Sequence, residues 1–415
     1  MKRENIILRI RLSDIESQLL QMETDSDTAT NRRTSTRLKQ ERQRRLMKEK
    51  ETIQESLDLI IYPILGIPVE ITSEIFLHCL PVVAARPDAN LAPMLLGRIC
   101  RKWRQITCNT PRLWGTLRLD YWGGDRPRLN FLVQNWLRRA GGVSLSLNLS
   151  FPYTHCSFFE SCLCRLSCPS SSIFTDHWGR LTSFSGLCLT LAECADLLLR
   201  ASRLIQCEFL LIRRSTLPAR ITHILLADLE ILTLGTSTSL DTLLLDFLTL
   251  PRLCSLRLVS ILDHPFDDVF LSFLQGAPGI QTFRVHLGVS YPTHEVMTAV
   301  LSAMPALCSF ELHLGFPDAI IFDMLRLLNE SIAFLPRLQN LVFFVSESVP
   351  WEDRWTPILV DALNSRWEAK SGIAQLVDFE FQFIMDHTAE LDVDISDCVL
   401  KLRERGMRIY VGPPV

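Results

Sequence analysis

Four cysteines and two histidines in the middle of the chain are residue types that bind zinc. They are Cys156, Cys162, Cys164, Cys168, His155 and His177. Zinc sites usually pair their cysteines about two to four residues apart in tight turns, whereas the successive spacings here are six, two and four residues. The surrounding stretch is rich in serine, cysteine and proline. We therefore interpret it as a loop with free thiols, and a zinc site is the alternative.

A second set of residues, His286, His313 and Glu311, has the composition of a two-histidine, one-carboxylate metal site. Nothing in the sequence requires a metal there, because a repeated strand register also places histidines side by side. The chain contains no Gly-Xaa-Ser-Xaa-Gly turn, no glycine-rich phosphate loop and no His-Glu-Xaa-Xaa-His helix. Enzyme classes without a local signature stay open, and we predict a protein that is not an enzyme and has no metal or cofactor.

The composition sets limits on the class of protein. The 415 residues are 47% hydrophobic, which predicts two or three folded units. A formal net charge of −3 gives no general attraction to nucleic acid, and no apolar run is long enough for a membrane span. The 13 cysteines are an odd number scattered through apolar segments, which is typical of reduced thiols in a cytoplasmic or nuclear protein.

A recurring pattern, Pro-Xaa-apolar-Xaa-Xaa-apolar-Xaa-apolar, dominates the second half of the chain. It occurs at 251–258, 278–285, 305–312 and 336–343, with successive prolines 27, 27 and 31 residues apart. Weaker copies lie at 229–234, 204–211 and 181–189, and 143–149 is the predicted first strand. Helix-like stretches follow at 267–275, 294–303 and 320–335. The spacing predicts one short strand and one helix per unit.

These units resemble leucine-rich repeats, which implies a right-handed solenoid with a parallel sheet along its concave side. The Asn or Cys that normally follows the strand is absent, so we expect an irregular repeat. The alternative is an ordinary α/β domain whose alternation only mimics a repeat.

Side chains alternate between the two faces of a strand, so the polar residues between the apolar positions point to the open face. Arg257, Arg284 and Glu311 are predicted to form one row, and His286 and His313 a second, with neighbouring strands about 5 Å apart. We predict these five residues to bind a charged peptide of a target protein. The alternative is that strand residues facing water are polar in any case.

The first 62 residues predict a helical hairpin. Leu8, Leu12, Ile15, Leu19 and Met22 follow heptad spacing, a polar turn follows, and a second helix is predicted for 36–61. The pairing within or between chains is left open. Residues 31–50 carry nine basic and two acidic residues, or +7. Without interleaved aromatic residues this is interpreted as a solvated helix face and not as a nucleic-acid site.

The segment 63–120 predicts two helices and a closing apolar plug. Pro68 suits the first turn of a helix, and Glu70, Glu74 and His78 form its polar stripe, while apolar residues cover the rest of the helix. A second apolar stripe runs from residue 95 to 106, and Pro111 precedes Leu113-Trp114. A short helix that is so apolar predicts more than one packing partner.

The order of these residues resembles the F-box, and the helical pair ahead of it resembles F-box proteins of mushroom-forming fungi. The sequence departs from the usual motif in having Ile67 where leucine is typical and an insert at 82–94. The resemblance implies docking to the Skp adaptor of a cullin–RING ubiquitin ligase, with Leu113 and Trp114 closing the module internally. The implied adaptor-binding residues are Ile67, Pro68, Ile71, Ile75, Leu80, Ile99 and Trp103.

The predicted fold class is mixed: an α-helical N-terminal hairpin (1–62) and an F-box (63–120), followed by an α/β leucine-rich-repeat-like solenoid (121–415). The predicted function is that of a substrate receptor that binds the Skp adaptor and an unknown target protein, with no nucleic-acid or membrane partner. One alternative is a scaffold that dimerises or binds partners without ubiquitination, with the face around Pro68 and Ile71 buried in the protein. Another is a metal hydrolase that uses the cysteine or histidine cluster.

Overall fold

Alternating helices and parallel strands give the chain a mixed α/β architecture with a large parallel sheet. The computed structural model describes residues 2–26, 33–58, 63–83, 85–120, 126–150, 177–187, 189–212, 223–236, 243–260, 266–288, 292–315, 319–331, 333–348, 355–368, 372–384 and 393–413. Residues 1–75 and 76–415 form two compact units.

The helices are α1 Lys2–Ser26, α2 Arg33–Asp58, α3 Val69–His78, α4 Leu96–Ile99, α5 Arg101–Cys108, α6 Arg126–Ala140, α7 Leu191–Arg200, α8 Leu243–Asp246, α9 Asp268–Gly276, α10 His294–Ser302, α11 Ala319–Glu330, α12 Trp355–Trp367 and α13 Val393–Glu404. The strands are β1 Thr116–Asp120, β2 Leu145–Ser150, β3 Leu181–Leu187, β4 Gln206–Ile212, β5 Ile224–Leu225, β6 Ile231–Thr236, β7 Leu248–Thr249, β8 Ser255–Ser260, β9 Thr282–Leu287, β10 Ser309–Leu314, β11 Asn340–Ser348, β12 Asp378–Ile384 and β13 Arg408–Gly412. Short 3₁₀ turns lie at Pro63–Gly66, Pro111–Trp114 and Trp178–Arg180.

Helices α1 and α2 pair with each other within the chain. Ile15, Leu46 and Ile53 are buried between them, which places the predicted heptad seam of α1 against α2. Two ion pairs flank this seam: Arg11 Nε lies 2.9 Å from Glu49 Oε1, and Lys50 Nζ lies 2.9 Å from Glu16 Oε1. The buried seam and the two ion pairs together hold α1 against α2.

The second unit contains an eleven-stranded sheet in the order β1-β2-β3-β4-β6-β8-β9-β10-β11-β12-β13, and every pairing in it is parallel. Strands β5 and β7 pair separately. In strands β8 to β12 alternate residues, such as Phe283 and Val285 of β9, are buried. Their neighbours Arg284 and His286 are exposed. One face of the sheet therefore packs into the core and the other stays open.

A ladder of backbone carbonyls sets the register between successive units. The carbonyl oxygen of Gln281 accepts the N–H groups of Cys308 and Ser309 at 2.8 and 2.9 Å. The carbonyl oxygen of Cys308 in turn accepts those of Gln339 and Asn340 at 2.8 and 3.0 Å. Because each strand begins at the same offset from its neighbour, equivalent side chains line up across the sheet.

The first strand was predicted in the wrong place. The predicted strand at 143–149 is β2, and β1 precedes it, inside the segment predicted as the end of the helical module. Strand β1 pairs with β2 from Thr116↔Ser146 to Asp120↔Ser150. Strands β12 and β13 complete the sheet beyond the last predicted unit.

Two predicted helices are also shorter than expected. The stripe at 95–106 is broken at Cys100, whose backbone is extended (φ −155°, ψ 171°) and whose Sγ accepts the N–H of Trp103 at 3.4 Å as the N-cap of α5. The helix predicted for 320–335 ends at Glu330. Beyond that end, Leu335 has a positive φ of 48°, which is incompatible with a continuing right-handed helix.

Candidate functional site

Helix α3 leaves three apolar side chains uncovered. The carbonyl oxygen of Pro68 accepts both the N–H and the hydroxyl of Thr72, each at 3.0 Å, which fixes the first turn. Val69, Ile71 and Ile75 are 49%, 54% and 47% exposed. A helix of a globular protein normally turns its isoleucines toward a core, whereas among the described residues these positions form a half-exposed apolar surface. We refer to Val69, Ile71 and Ile75 as the α3 apolar surface.

The other predicted adaptor-binding residues differ in exposure. In the first unit Ile67 is half-buried and Pro68 is exposed. In the second unit Ile99 is 55% exposed, whereas Leu80 and Trp103 are half-buried and pack against the core. Two of the seven residues therefore also hold their own unit together.

Trp103 has a defined packing partner. Its ring meets that of Phe76 edge-on, with centroids 4.9 Å apart and planes at 61°. Phe76 is only 1% exposed, so this contact anchors α5 to the C-terminal turn of α3. The pair is an edge-to-face aromatic contact of the kind that stabilises small helical modules.

Leu113 and Trp114 are buried, and Trp114 contacts both α5 and α6. Both are 2% exposed, and Trp114 Nε1 donates a hydrogen bond to the carbonyl oxygen of Thr107 at 2.9 Å. Trp136 of α6 packs edge-on against Trp114 at 4.8 Å, and the guanidinium of Arg139 lies 4.5 Å from the centre of the Trp114 ring. Trp114 therefore packs between α5 and α6.

The polar residues predicted to line up across the sheet do so. Arg257 pairs in register with Arg284, and Arg284 with Glu311. His286 pairs in register with His313. These five residues lie on the open face of β8, β9 and β10, and we call them the polar strand cluster. These pairings confirm the register prediction. It succeeded because the proline that precedes each unit recurs at nearly constant spacing.

Glu311 is the centre of the polar strand cluster. Its Oε2 lies 3.0 Å from Nε of Arg284, and its Oε1 lies 2.6 Å from Nε2 of His313. The hydrogen bond from His313 and the positive charge of Arg284 lower the pKa of Glu311, against the opposing effect of its burial. Glu311 is therefore ionised at neutral pH, and its two oxygens are both occupied.

The two histidines lie side by side and are not equivalent. Their ring centroids are 5.4 Å apart, and His313 stacks on Phe344 of β11 at 5.1 Å. Burial lowers the pKa of His286, and the neighbouring His313 and Arg257 lower it further. These effects favour the neutral form of His286. Phe344 was not predicted as part of the site, although its register with His313 was the available signal.

Arg257 differs from Arg284 in its pairing. It is exposed on the open face, and none of the described carboxylates forms an ion pair with it. The polar strand cluster thus combines one carboxylate, whose two oxygens are both bonded, with one accessible guanidinium.

The cysteine cluster cannot be compared with its prediction. His155, Cys156, Cys162, Cys164 and Cys168 lie outside the described residues. His177, which is described, has Nδ1 at 3.1 Å from a guanidinium nitrogen of Arg180. In the part of the chain that the structure describes, no group of three or more His, Cys, Asp or Glu side chains has the geometry to hold a metal ion.

No protein-family model matches the chain, and no curated protein has a similar sequence. Over the described ranges, no helix is both long and apolar enough to span a membrane.

Proposed function

We propose that the protein is the substrate-recognition subunit of a Skp–cullin–F-box ubiquitin ligase. The helical module at 63–120 docks the Skp adaptor, and the repeat region binds a target protein through its open strand face. The protein supplies no catalytic group of its own in this proposal, since ubiquitin transfer belongs to the assembled ligase.

The α3 apolar surface is the observation that carries the proposal. Full burial of an isoleucine side chain stabilises by about 1.5–3 kcal/mol, so two isoleucines left half exposed offer roughly 2 kcal/mol to a partner. Ile71 and Ile75 lie where the F-box resemblance expects adaptor contacts. Docking of the Skp adaptor would bury the exposed apolar area of these two isoleucines.

We further propose that the sheet and its helices form an irregular leucine-rich-repeat-like solenoid. Three features support this: the sequential order of the eleven strands, the recurrence of one strand and one helix per unit, and the carbonyl ladder between units. In such a solenoid the polar strand cluster lies on the concave side, which is the surface that repeat proteins use for binding.

The described cysteines support a reducing compartment, in the cytoplasm or the nucleus. All eight of them are free thiols. Burial raises the pKa of Cys194 and of Cys207, so both are unreactive neutral thiols in the core.

The scaffold alternative expected the apolar face around Pro68 and Ile71 to be buried within the protein. Ile71 is instead 54% exposed, and Pro68 is exposed as well. The helical pair buries its own seam within one chain. Neither observation favours a scaffold that dimerises through these helices.

Co-purification of the full-length protein with the Skp adaptor tests the proposal. Wild type is compared with a Pro68→Ala/Ile71→Asp double variant and with Leu400→Asp, which places the same charge at an exposed apolar position elsewhere in the chain (56% exposed). We expect the double variant to capture at least about tenfold less adaptor, because a carboxylate would be buried in the interface. The Leu400→Asp control should bind as wild type. Absence of capture by folded wild-type protein would contradict the proposal.

A further inference from the structure

We propose that the polar strand cluster recognises an anionic side chain, a carboxylate or a phosphate, on an extended peptide of the target, with Arg257 as its principal contact. The inference deepens the proposed function and rests on it for the identity of the binding face. It assigns the chemical class of the target segment.

The charge balance of the cluster favours an anion. Arg257 and Arg284 contribute two positive charges and Glu311 one negative charge, so the three groups leave one net positive charge. Both oxygens of Glu311 are already bonded, one to Arg284 and one to His313, so its negative charge is balanced within the cluster. Arg257 remains available for two parallel hydrogen bonds to a carboxylate or phosphate, the geometry that guanidinium groups favour.

The next row of side chains on the same face of the sheet is apolar. Beside the polar strand cluster lie Leu210 of β4, Gly235 of β6 and Val259 of β8, and Val259 is in register with both Gly235 and His286. Leu210 and Val259 are half-buried. A Cβ atom at Gly235 would lie 3.0 Å from Leu210 Cδ2 and 3.5 Å from Val259 Cβ, so the side chains of Leu210 and Val259 already fill the space over the glycine and form one apolar patch. This apolar patch lies next to the accessible guanidinium.

The spacing between the apolar patch and Arg257 restricts the ligand further. Val259 is two residues from Arg257 on the same strand, and Leu210 is two strands and two residues from it, which gives separations of about 7 and about 12 Å from the ordinary strand spacings. An extended peptide covers these distances in about two to four residues. The target segment therefore has an acidic or phosphorylated residue, and an apolar residue two to four positions away.

Binding of the full-length protein to immobilised seven-residue peptide libraries tests the inference. Each position is varied in turn, and phosphoserine is included. Wild type is compared with Arg257→Gln, Arg257→Glu and the matched control Arg252→Gln. Arg252 lies in the turn before the same strand and pairs with Asp228 at 3.0 Å. Thermal unfolding of each variant verifies that it is folded.

We expect wild type and Arg252→Gln to select Asp, Glu or phosphoserine at one position. Arg257→Gln should lose this selection by roughly tenfold or more, the effect of one charge-assisted hydrogen-bonded pair, and Arg257→Glu should select Lys or Arg instead. Wild-type binding without an acidic preference, or an acidic preference that persists in Arg257→Gln, overturns the inference. Adaptor capture is measured on the same samples. Capture without acidic selection rejects this inference alone, and acidic selection without capture rejects the ligase proposal alone.

Discussion

His313 bonds Glu311 through Nε2 and Oε1, which are 2.6 Å apart, and the two residues lie two positions apart on the open face of β10. The bond requires the proton of His313 to be on Nε2 when the imidazole is neutral. Its effect is to hold Glu311 in the orientation in which the other oxygen meets Arg284. Glu311 therefore holds Arg284 and His313 together on the sheet face, and Arg257 is the cation that stays accessible.

Glu311→Gln is predicted to destabilise the protein in a pH-dependent way. The pKa of Glu311 is lowered in the folded state, so its ionised form contributes stability above the unfolded-state pKa of about 4.3. That contribution is lost as the pH falls through the lower folded-state pKa. We expect a loss of about 1 kcal/mol at pH 7, discounted for the partial exposure of the pair.

The free energy of unfolding in urea, measured from pH 7 down to pH 3, provides the test. The difference between Glu311→Gln and wild type should shrink below about pH 4.3. Glu330→Gln, at the exposed end of α11, serves as the control and should show no such trend. A constant difference across the range would contradict the assignment of Glu311 as a stabilising carboxylate.

His286 is predicted to titrate below the usual range of histidine. Burial lowers its pKa first, and His313 and Arg257 add to the shift. Removal of one positive charge in Arg257→Gln should therefore raise the pKa of His286. The imidazole carbon-bound proton signals followed by NMR against pH report this shift, and Arg252→Gln should leave the titration unchanged. A His286 pKa that is the same in Arg257→Gln and wild type would place Arg257 too far away to interact.

Arg366 is predicted to be essential for stability. Its side chain is 3% exposed and donates hydrogen bonds to the carbonyl oxygens of Leu328, Ser331, Phe334 and Leu335 at 2.7, 3.2, 2.7 and 3.3 Å. Arg366→Met removes all four of these hydrogen bonds to buried carbonyl groups, and we expect a loss of about 3 kcal/mol in chemical unfolding.

Arg366→Lys tests the geometry of this contact. A lysine ammonium cannot reproduce the planar fork of five donors, so this variant should also be destabilised, by at least half as much as Arg366→Met. Arg326→Met, which removes an exposed arginine from α11, is the matched control and should be close to wild type. Full stability of Arg366→Lys would show that charge alone, and not the fork, is needed.

Ile15→Ala tests the helical pair. Ile15 is fully buried against α2, so we expect its truncation to weaken the pairing by about 2–4 kcal/mol. Hydrogen exchange of the amides in α1 should accelerate, while Ile10→Ala, at an exposed position of the same helix (65% exposed), should have little effect. Because the pairing is within one chain, the exchange rates should not depend on protein concentration. A concentration dependence would indicate pairing between chains.

The register of the polar strand cluster could be predicted from the sequence because each unit begins at a proline and keeps the same offset to its apolar positions. Strand β1 escaped the same search because Pro111 is followed by the apolar residues Leu113, Leu117 and Leu119, with one residue more than in the standard unit. A search that allowed one insertion would have found it.

Other features depend on contacts that no local pattern encodes. The break at Cys100 depends on a cysteine acting as a helix cap, a role usually taken by Ser, Thr, Asp or Asn. Carbonyl groups near the end of α11 accept hydrogen bonds from Arg366, which lies more than thirty positions away in sequence. The exposure of Ile71 and Ile75 likewise depends on the tertiary structure and not on a local sequence pattern.

Hydrogen exchange of the full-length chain, alone and with excess Skp adaptor, is the most direct test of the proposed function. The account predicts a complex in which amides of α3 and of 95–103 exchange more slowly, while those of β8, β9 and β10 are unchanged. A complex that leaves α3 and 95–103 unprotected, or no complex with the folded protein, would contradict it.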